Sequence, residues 1–206
     1  APTSRPRGSQ STSVGGAELR YFAFGANMAS RVVRTRRRVN PSRAEAARLP
    51  GYRLVFEDRG IPLLEPAFAS IREESSSEVW GVLYHFTADE FACLDRFEGP
   101  NYRLIEVEVE GRESGVQDAF AYVACRVIQG KRPSRRYLEL LREGAVEHDL
   151  PASYVAELES HPAAWAPPGA AYALNFVVSS VEWVRSHSPA TQEARRNRRR
   201  GFPDGD

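Results

Sequence analysis

The chain has 206 residues, a length that suits one domain able to bury a full hydrophobic core. Its 28 basic and 27 acidic residues cancel to a net charge of +1, so no overall field draws it to nucleic acid or to a membrane surface. No run approaches the roughly 20 apolar residues of a membrane helix, and two cysteines, Cys93 and Cys125, are too few for a secreted disulfide framework; free thiols in a reducing compartment are expected.

In chain order, residues 1–17 are rich in Ser, Gly, Pro and Arg and contain no acidic residue, since the first is Glu18. Such a composition cannot bury enough apolar surface to order itself, and it predicts a disordered tail. The chain begins at Ala1 rather than Met, so trimming upstream is expected. The reading is a cytoplasmic protein whose N-terminal composition would permit organellar import.

From Leu19 onward, aromatic and β-branched runs predict strands at "LRYFAF", "YRLVF", "AFASI", "EVWGVLYHF", "YRLIEVEVE" and "AFAYVAC". The alternation in "EVEVEGRESGVQDAFAYVA" on both sides of a Gly-containing connection predicts an antiparallel hairpin. Helices are predicted at "ASRVVRTRRR", "TADEFACLDRF" and "SRRYLELLREGAVEH", the last two N-capped by Thr87 and Ser134. The sum is an α+β domain over residues 18–160, built as a small, mixed, mainly antiparallel β-barrel with surrounding helices. Residues 161–206 read as a C-terminal extension with one short helix and a basic end, "RRNRRR".

Two stretches carry chemistry. In "YFAFGANM", an aromatic strand runs into the bare loop Gly25-Ala26-Asn27. Gly25 admits positive φ, Ala26 keeps the surface low, and Asn27 is a good N-cap for a helix starting near Met28. Unpaired N–H groups there, with a helix dipole behind them, would hold a carboxylate or phosphate; the spacing of a phosphate-binding P-loop is missing. In "LDRFEGPNYRLIEVEV", Glu98 follows the apolar face of Phe91, Leu94 and Phe97, before Gly99 and Pro100 break the helix and Tyr102 opens a strand. A carboxylate buried beside Phe97 and Tyr102 would be suited by desolvation to work as a general base.

These residues resemble the γ-glutamylcyclotransferase family. "YFAFGANM" is similar to its "YxAYGSNL/M" signature, and "LDRFEGPNYRLIEV" to the segment carrying its catalytic glutamate. "EVWGVLYHFTADEF" and "REGAVEHDLPASYVAEL" follow in the family's order, so that the likeness spans Leu19 to Leu158. The resemblance implies a reaction in which the α-amine of a γ-glutamyl compound attacks its own γ-carbonyl. That closes 5-oxoproline and releases an amino acid or amine. It implies Glu98 as general acid and base, and a substrate site formed by Tyr21, Phe24, Gly25, Ala26, Asn27, Met28, Tyr102 and Tyr154. No metal and no cofactor are implied. Phe24 and Ala26 replace the signature's Tyr and Ser, which removes two hydroxyls and leaves the backbone donors in place. The connection from Glu98 to Tyr102 is shorter than in some members.

The rival chemistries are weaker. The histidines, at 85, 148, 161 and 187, show no zinc-site pairing. Cys93 and Cys125 read as core rather than as nucleophiles. The Arg-rich runs read as a solvated helix face and tail, because an Arg-for-Lys bias marks a chain whose one lysine is Lys131. The expected partner is a small γ-glutamyl molecule, with no nucleic acid or membrane, acting on a monomer or homodimer. The alternative is a non-catalytic binding or regulatory protein on the same fold.

Overall fold

Strand-forming runs dominate the chain, and their pairing decides the architecture. The computed structural model describes residues 18–61, 64–98, 101–125 and 127–165. Its strands are β1 (Leu19–Ala23), β2 (Arg43–Ile61), β3 (Glu65–Phe86), β4 (Tyr102–Gly111) and β5 (Gly115–Ala124). They close into a barrel in the order β1, β3, β2, β4, β5. Neighbours pair antiparallel, except that β1 meets β5 in parallel at Tyr21 opposite Phe120, which seals the ring. The expected α+β barrel is present. Closure joins the two ends of the sheet, at Tyr21 opposite Phe120.

The predicted hairpin over residues 106–124 is β4 and β5, turned at Gly115 with φ +72°. Two expectations about strands are corrected. The runs at 67–71 and 78–86 belong to one 22-residue strand, β3. Its polar middle reads as a loop by composition but stays in the sheet because it faces outward beside β2. There Arg53 pairs with Glu74 at 3.3 Å and Arg48 with Glu78 at 2.8 Å. Likewise β2 begins at Arg43, ahead of the predicted 52–56, and its register shifts between Pro50 and Tyr52, next to Gly51 with φ +76°. Both faces of the β1–β3 pair are covered: Phe22 and Leu83 on one, and Val82, Tyr84 and Phe86 on the other, are all fully buried.

Helix α1 (Ala88–Asp95) opens with the predicted Thr87 cap, and Glu90 completes a capping box. Helix α2 (Arg135–Glu147) opens with Ser134, whose hydroxyl accepts from Tyr137 N at 3.1 Å. A further helix, α3 (Ala152–Ser160), was not among those expected. The predicted helix at 29–38 is present in shorter and wider form: after a 3-10 turn at Ala26–Met28 the chain is helical over residues 30–36, with π geometry at Val32–Arg36, and it ends at Arg38 with φ 57°. β-Branched Val32, Val33 and Thr35 beside a run of like charges favour no regular helix. Helix α2 packs directly on these turns. A Cβ on Gly144 would stand 2.6 Å from Ala29 N and Met28 C, so only glycine permits this approach.

Cys93 is half-buried as a core residue of α1, whereas Cys125, expected in the core, is exposed just past β5. Residues 161–165 return to the barrel, with His161 edge-on to Phe56 at 4.4 Å and Ala164 N donating to Pro133 O at 2.8 Å. The tail expected at 1–17, the short helix and basic end expected after 165, and the break at Gly99-Pro100 lie outside the described residues.

Candidate active site

One cavity gathers residues from β1, the turns after it, β3, the loop after α1, β4, β5 and α2. Strand β1 delivers Tyr21 to its wall, and the chain leaving the strand adds Phe24, Gly25, Ala26 and Asn27. Gly25 is there for close approach rather than for positive φ, which corrects the expectation: its φ is −118°. A Cβ on Gly25 would stand 3.2 Å from Tyr137 Oη and 3.5 Å from Ala69 Cβ.

Asn27 was expected to cap a helix. It lies inside the 3-10 turn and makes no cap, and its buried side chain turns toward the cavity. Arg37 Nε donates to Asn27 Oδ1 at 3.2 Å, which directs the amide nitrogen the other way. That nitrogen donates to Tyr21 Oη at 3.0 Å and reaches Glu98 Oε1 at 3.4 Å. The second contact is long for a hydrogen bond and acts as a guide for the carboxylate.

Glu98 comes to this place through α1. The capping box fixes where the helix starts, and buried Phe91 and Leu94 fix which face meets the barrel. The chain leaving the helix then carries Phe97 and Glu98 into the cavity wall. Arg37 lies over the Phe97 ring at 5.4 Å. Glu98 is 7% exposed. Its charge is felt by both neighbouring phenols. Burial first, and the Glu98 carboxylate second, push Tyr21 above the usual phenol range. Burial, then Asp58 and Glu98, do the same to Tyr102.

The remaining expected residues divide. Tyr102 lines the cavity, and its hydroxyl donates to buried Asp58. Met28 and Tyr154 do not line it. Met28 is fully buried and its carbonyl accepts from Tyr84 Oη at 2.8 Å, while Tyr154 is packed in the core from α3. The loop N–H groups also differ from expectation. Met28 N donates to Gly25 O and Ala29 N to Ala26 O, and Tyr137 Oη takes N–H bonds from Ala26 and, at 3.2 Å, from Ala69. A 3-10 turn at Ala26–Met28 separates the loop from the short helical segment over residues 30–36, so little dipole stands directly behind the loop.

Sequence reasoning missed Tyr122, Tyr137, Arg36, Arg37 and Arg136, all in the cavity wall. Arg36 and Arg37 were read as part of a solvated helix face, and Arg136 was not singled out. Tyr122 Oη donates to Asp95 Oδ1 at 2.8 Å, tying β5 to α1. Arg136 donates from Nη2 to Glu65 Oε2 at 3.0 Å; Glu65 is fully buried and also accepts from Ser134 N at 3.0 Å and Ser134 Oγ at 2.8 Å. Nothing local in the sequence flags these positions, since barrel closure and the packing of the helices bring them together. Among the described residues no His, Cys, Asp and Glu side chains cluster as a metal would require, and no helix is long and apolar enough to cross a membrane.

Comparison with known proteins bears on the family and the fold. The model of the AIG2-like family matches residues 78–158, from within β3 to within α3. Gamma-glutamylcyclotransferase of Bos taurus is 30% identical over 161 residues, covering 70% of this chain and 79% of that protein. Gamma-glutamyl cyclotransferase aclK of Aspergillus oryzae is 28% identical over 171 residues, covering 72% of this chain and 63% of that longer protein. A solved structure of a gamma-glutamyl cyclotransferase superposes with a TM-score of 0.64 at 24% identity, over 78% of this chain and 99% of its own, a likeness of fold. With a closed five-stranded barrel, a buried glutamate in the wall of its cavity and these relatives, the chain belongs to the γ-glutamylcyclotransferase family of enzymes.

Proposed function

We propose that this enzyme converts γ-glutamyl compounds to 5-oxoproline and a free amino acid or amine, with Glu98 as the proton carrier. The observation that carries the reading is the placement of Glu98, a carboxylate nearly closed off from solvent in the wall of a cavity shared with the Gly25-Ala26-Asn27 loop. Relatives named for this reaction support it.

The chemistry follows from what such a pocket must supply. Folding the γ-glutamyl chain back on itself brings amine and carbonyl together, and holding that pose can account for about 7–11 kcal/mol of the barrier. The α-amine arrives as an ammonium, so Glu98 first takes a proton from it. The amine nitrogen then attacks the γ-carbonyl carbon, and a new C–N bond forms. Glu98 returns its proton to the departing nitrogen as the old C–N bond breaks. The proton left on the ring nitrogen passes through the same carboxylate to the released amine or to solvent, and the charges balance. Asn27 orients Glu98 from one side. The loop amides of Gly25 and Asn27, with the Tyr137 hydroxyl, are the candidate donors for the substrate's carboxylate and its developing oxyanion. Arg37 holds Asn27 in register.

The test is 5-oxoproline release from a panel of γ-glutamyl-amino acids and γ-glutamyl amines, wild type beside Glu98→Gln. Product from wild type that vanishes in the variant supports the reaction and its base. A wild type that releases none, yet is stabilised against heat by a γ-glutamyl ligand, is a binding protein on this fold.

A further inference from the structure

Tyr21, Tyr102, Tyr122 and Tyr137 stand in the cavity wall, and a phenol can turn either its hydrogen or its oxygen toward a ligand. The hydrogen bonds behind each ring decide which. Tyr137 Oη accepts N–H bonds from Ala26 and Ala69, and Tyr21 Oη accepts from Asn27 at 3.0 Å, so both keep a hydrogen to offer. Tyr122 and Tyr102 have committed theirs to carboxylates, Asp95 and Asp58. Of these two, Tyr102 follows Glu98 closely in the chain and feels its charge. What Tyr102 can present to the cavity is a lone pair. The wall is thus divided by polarity, with donors at Tyr137 and the loop and acceptors at Tyr102 and Glu98.

Asp58 is built to hold that polarity. It is 2% exposed, and an ionised carboxylate so enclosed persists only with hydrogen-bonding partners. A bulge in β2 aims it. The register shifts between Val55, opposite Ser70, and Asp58, opposite Phe68, and an extra residue of this kind re-aims a side chain out of its regular alternation. Asp58 also bridges to Val127, beyond β5, so its backbone is held from two sides. This carboxylate takes no part in the proton transfers of Glu98.

Resting on the reaction proposed above, we propose that Asp58 is a positioning residue, which holds the Tyr102 hydroxyl so that the phenol oxygen accepts a hydrogen bond from the α-ammonium of the γ-glutamyl substrate. Glu98 takes one proton from that nitrogen while Tyr102 keeps hold of another N–H. The direction from which the freed lone pair meets the γ-carbonyl is then fixed. Without Asp58 the hydroxyl is released to donate to the Glu98 carboxylate and to compete with the ammonium for it.

The experiment compares γ-glutamyl-alanine with glutaryl-alanine, which lacks the α-amino group and is otherwise identical. Calorimetry gives the ratio of their Kd values in Glu98→Gln, where turnover is slow. The same background then carries Asp58→Ala, Asp58→Asn, Tyr102→Phe, or Asp58→Ala together with Tyr102→Phe. Glu98→Gln is expected to prefer the γ-glutamyl compound by about tenfold or more, as a hydrogen bond to a charged group allows. Asp58→Ala and Tyr102→Phe each bring the ratio close to unity. Asp58→Asn, which keeps an acceptor for the hydroxyl, retains most of the preference. A ratio that Asp58→Ala leaves unchanged, one that Asp58→Ala still lowers in the Tyr102→Phe background, or an Asp58→Asn as damaging as Asp58→Ala overturns the assignment. If Asp58→Ala does not fold, Asp58→Asn and Tyr102→Phe decide. Release of 5-oxoproline from γ-glutamyl-alanine by the wild type is followed alongside. If none appears, the reaction is wrong, and the Kd ratios still judge Asp58; equal or absent binding of both compounds overturns it.

Discussion

Glu65 and Glu98 are both buried carboxylates, and they differ in what closes over them. Glu65 is completely enclosed, with Ser134 N, Ser134 Oγ and Arg136 bonded to it. Glu98 keeps 7% of its surface exposed and forms part of the cavity wall beside Asn27 and Tyr21. Burial by itself therefore does not mark a catalytic acid. An enclosed carboxylate fastens elements together, here the start of β3 to the start of α2, while one that opens to a cavity can exchange a proton with whatever binds there.

That contrast can be broken at either residue. The largest effect is expected at Glu98: Glu98→Gln lowers 5-oxoproline release by about a thousandfold, within the range for loss of a positioned acid or base, and leaves the melting temperature nearly unchanged. At Glu65 the pattern inverts. Glu65→Ala strands the guanidinium of Arg136 and the buried donors of Ser134, and chemical denaturation is expected to show a loss of about 3–5 kcal/mol. An equal loss of stability from both substitutions would erase the distinction. Asn27→Ala removes the amide that guides Glu98 and bonds Tyr21, and kcat is expected to fall about 10–100-fold while stability drops little; a change confined to KM would argue that Asn27 binds substrate without orienting Glu98.

The smallest effect per group concerns alkali. Burial raises the phenols of Tyr21, Tyr84, Tyr102, Tyr137 and Tyr154 above the usual value, with the Glu98 charge adding to the shift at Tyr21 and Tyr102. In the unfolded chain these phenols ionise near pH 10, while the folded chain keeps them protonated. Their contribution is therefore complete below about pH 10 and is lost as the pH climbs toward the folded values, by up to about 1.4 kcal/mol per pH unit for each group. Denaturation curves at rising alkaline pH, with phenolate absorbance followed alongside, check this. Stability that stays flat above about pH 10 would show the phenols to be solvated.

Legibility in the sequence followed the range of the forces. Thr87 and Ser134 were readable as caps because a cap is a contact over three residues. The β4–β5 hairpin was readable because alternation and a glycine turn are local too. The long strands were not, because the polar middle of β3 stays extended only through its pairing with β2. The helix expected after Asn27 formed only over residues 30–36 and with π geometry, because local propensity left it weak and the turn before it packs against α2 at Gly144.

By itself the sequence determined the strand-rich α+β character, the loop after β1 and the glutamate after α1, since each is written in neighbouring residues and in motifs that keep their order. Only the tertiary structure decided that Asn27 turns inward to Glu98 and Tyr21, that Met28 and Tyr154 are core, and that arginines from two distant segments share the cavity. Arg37 and Arg136 line one cavity because the barrel closes and α2 docks at Gly144 against Met28 and Ala29. Long-range packing of this kind leaves no periodic trace along the chain.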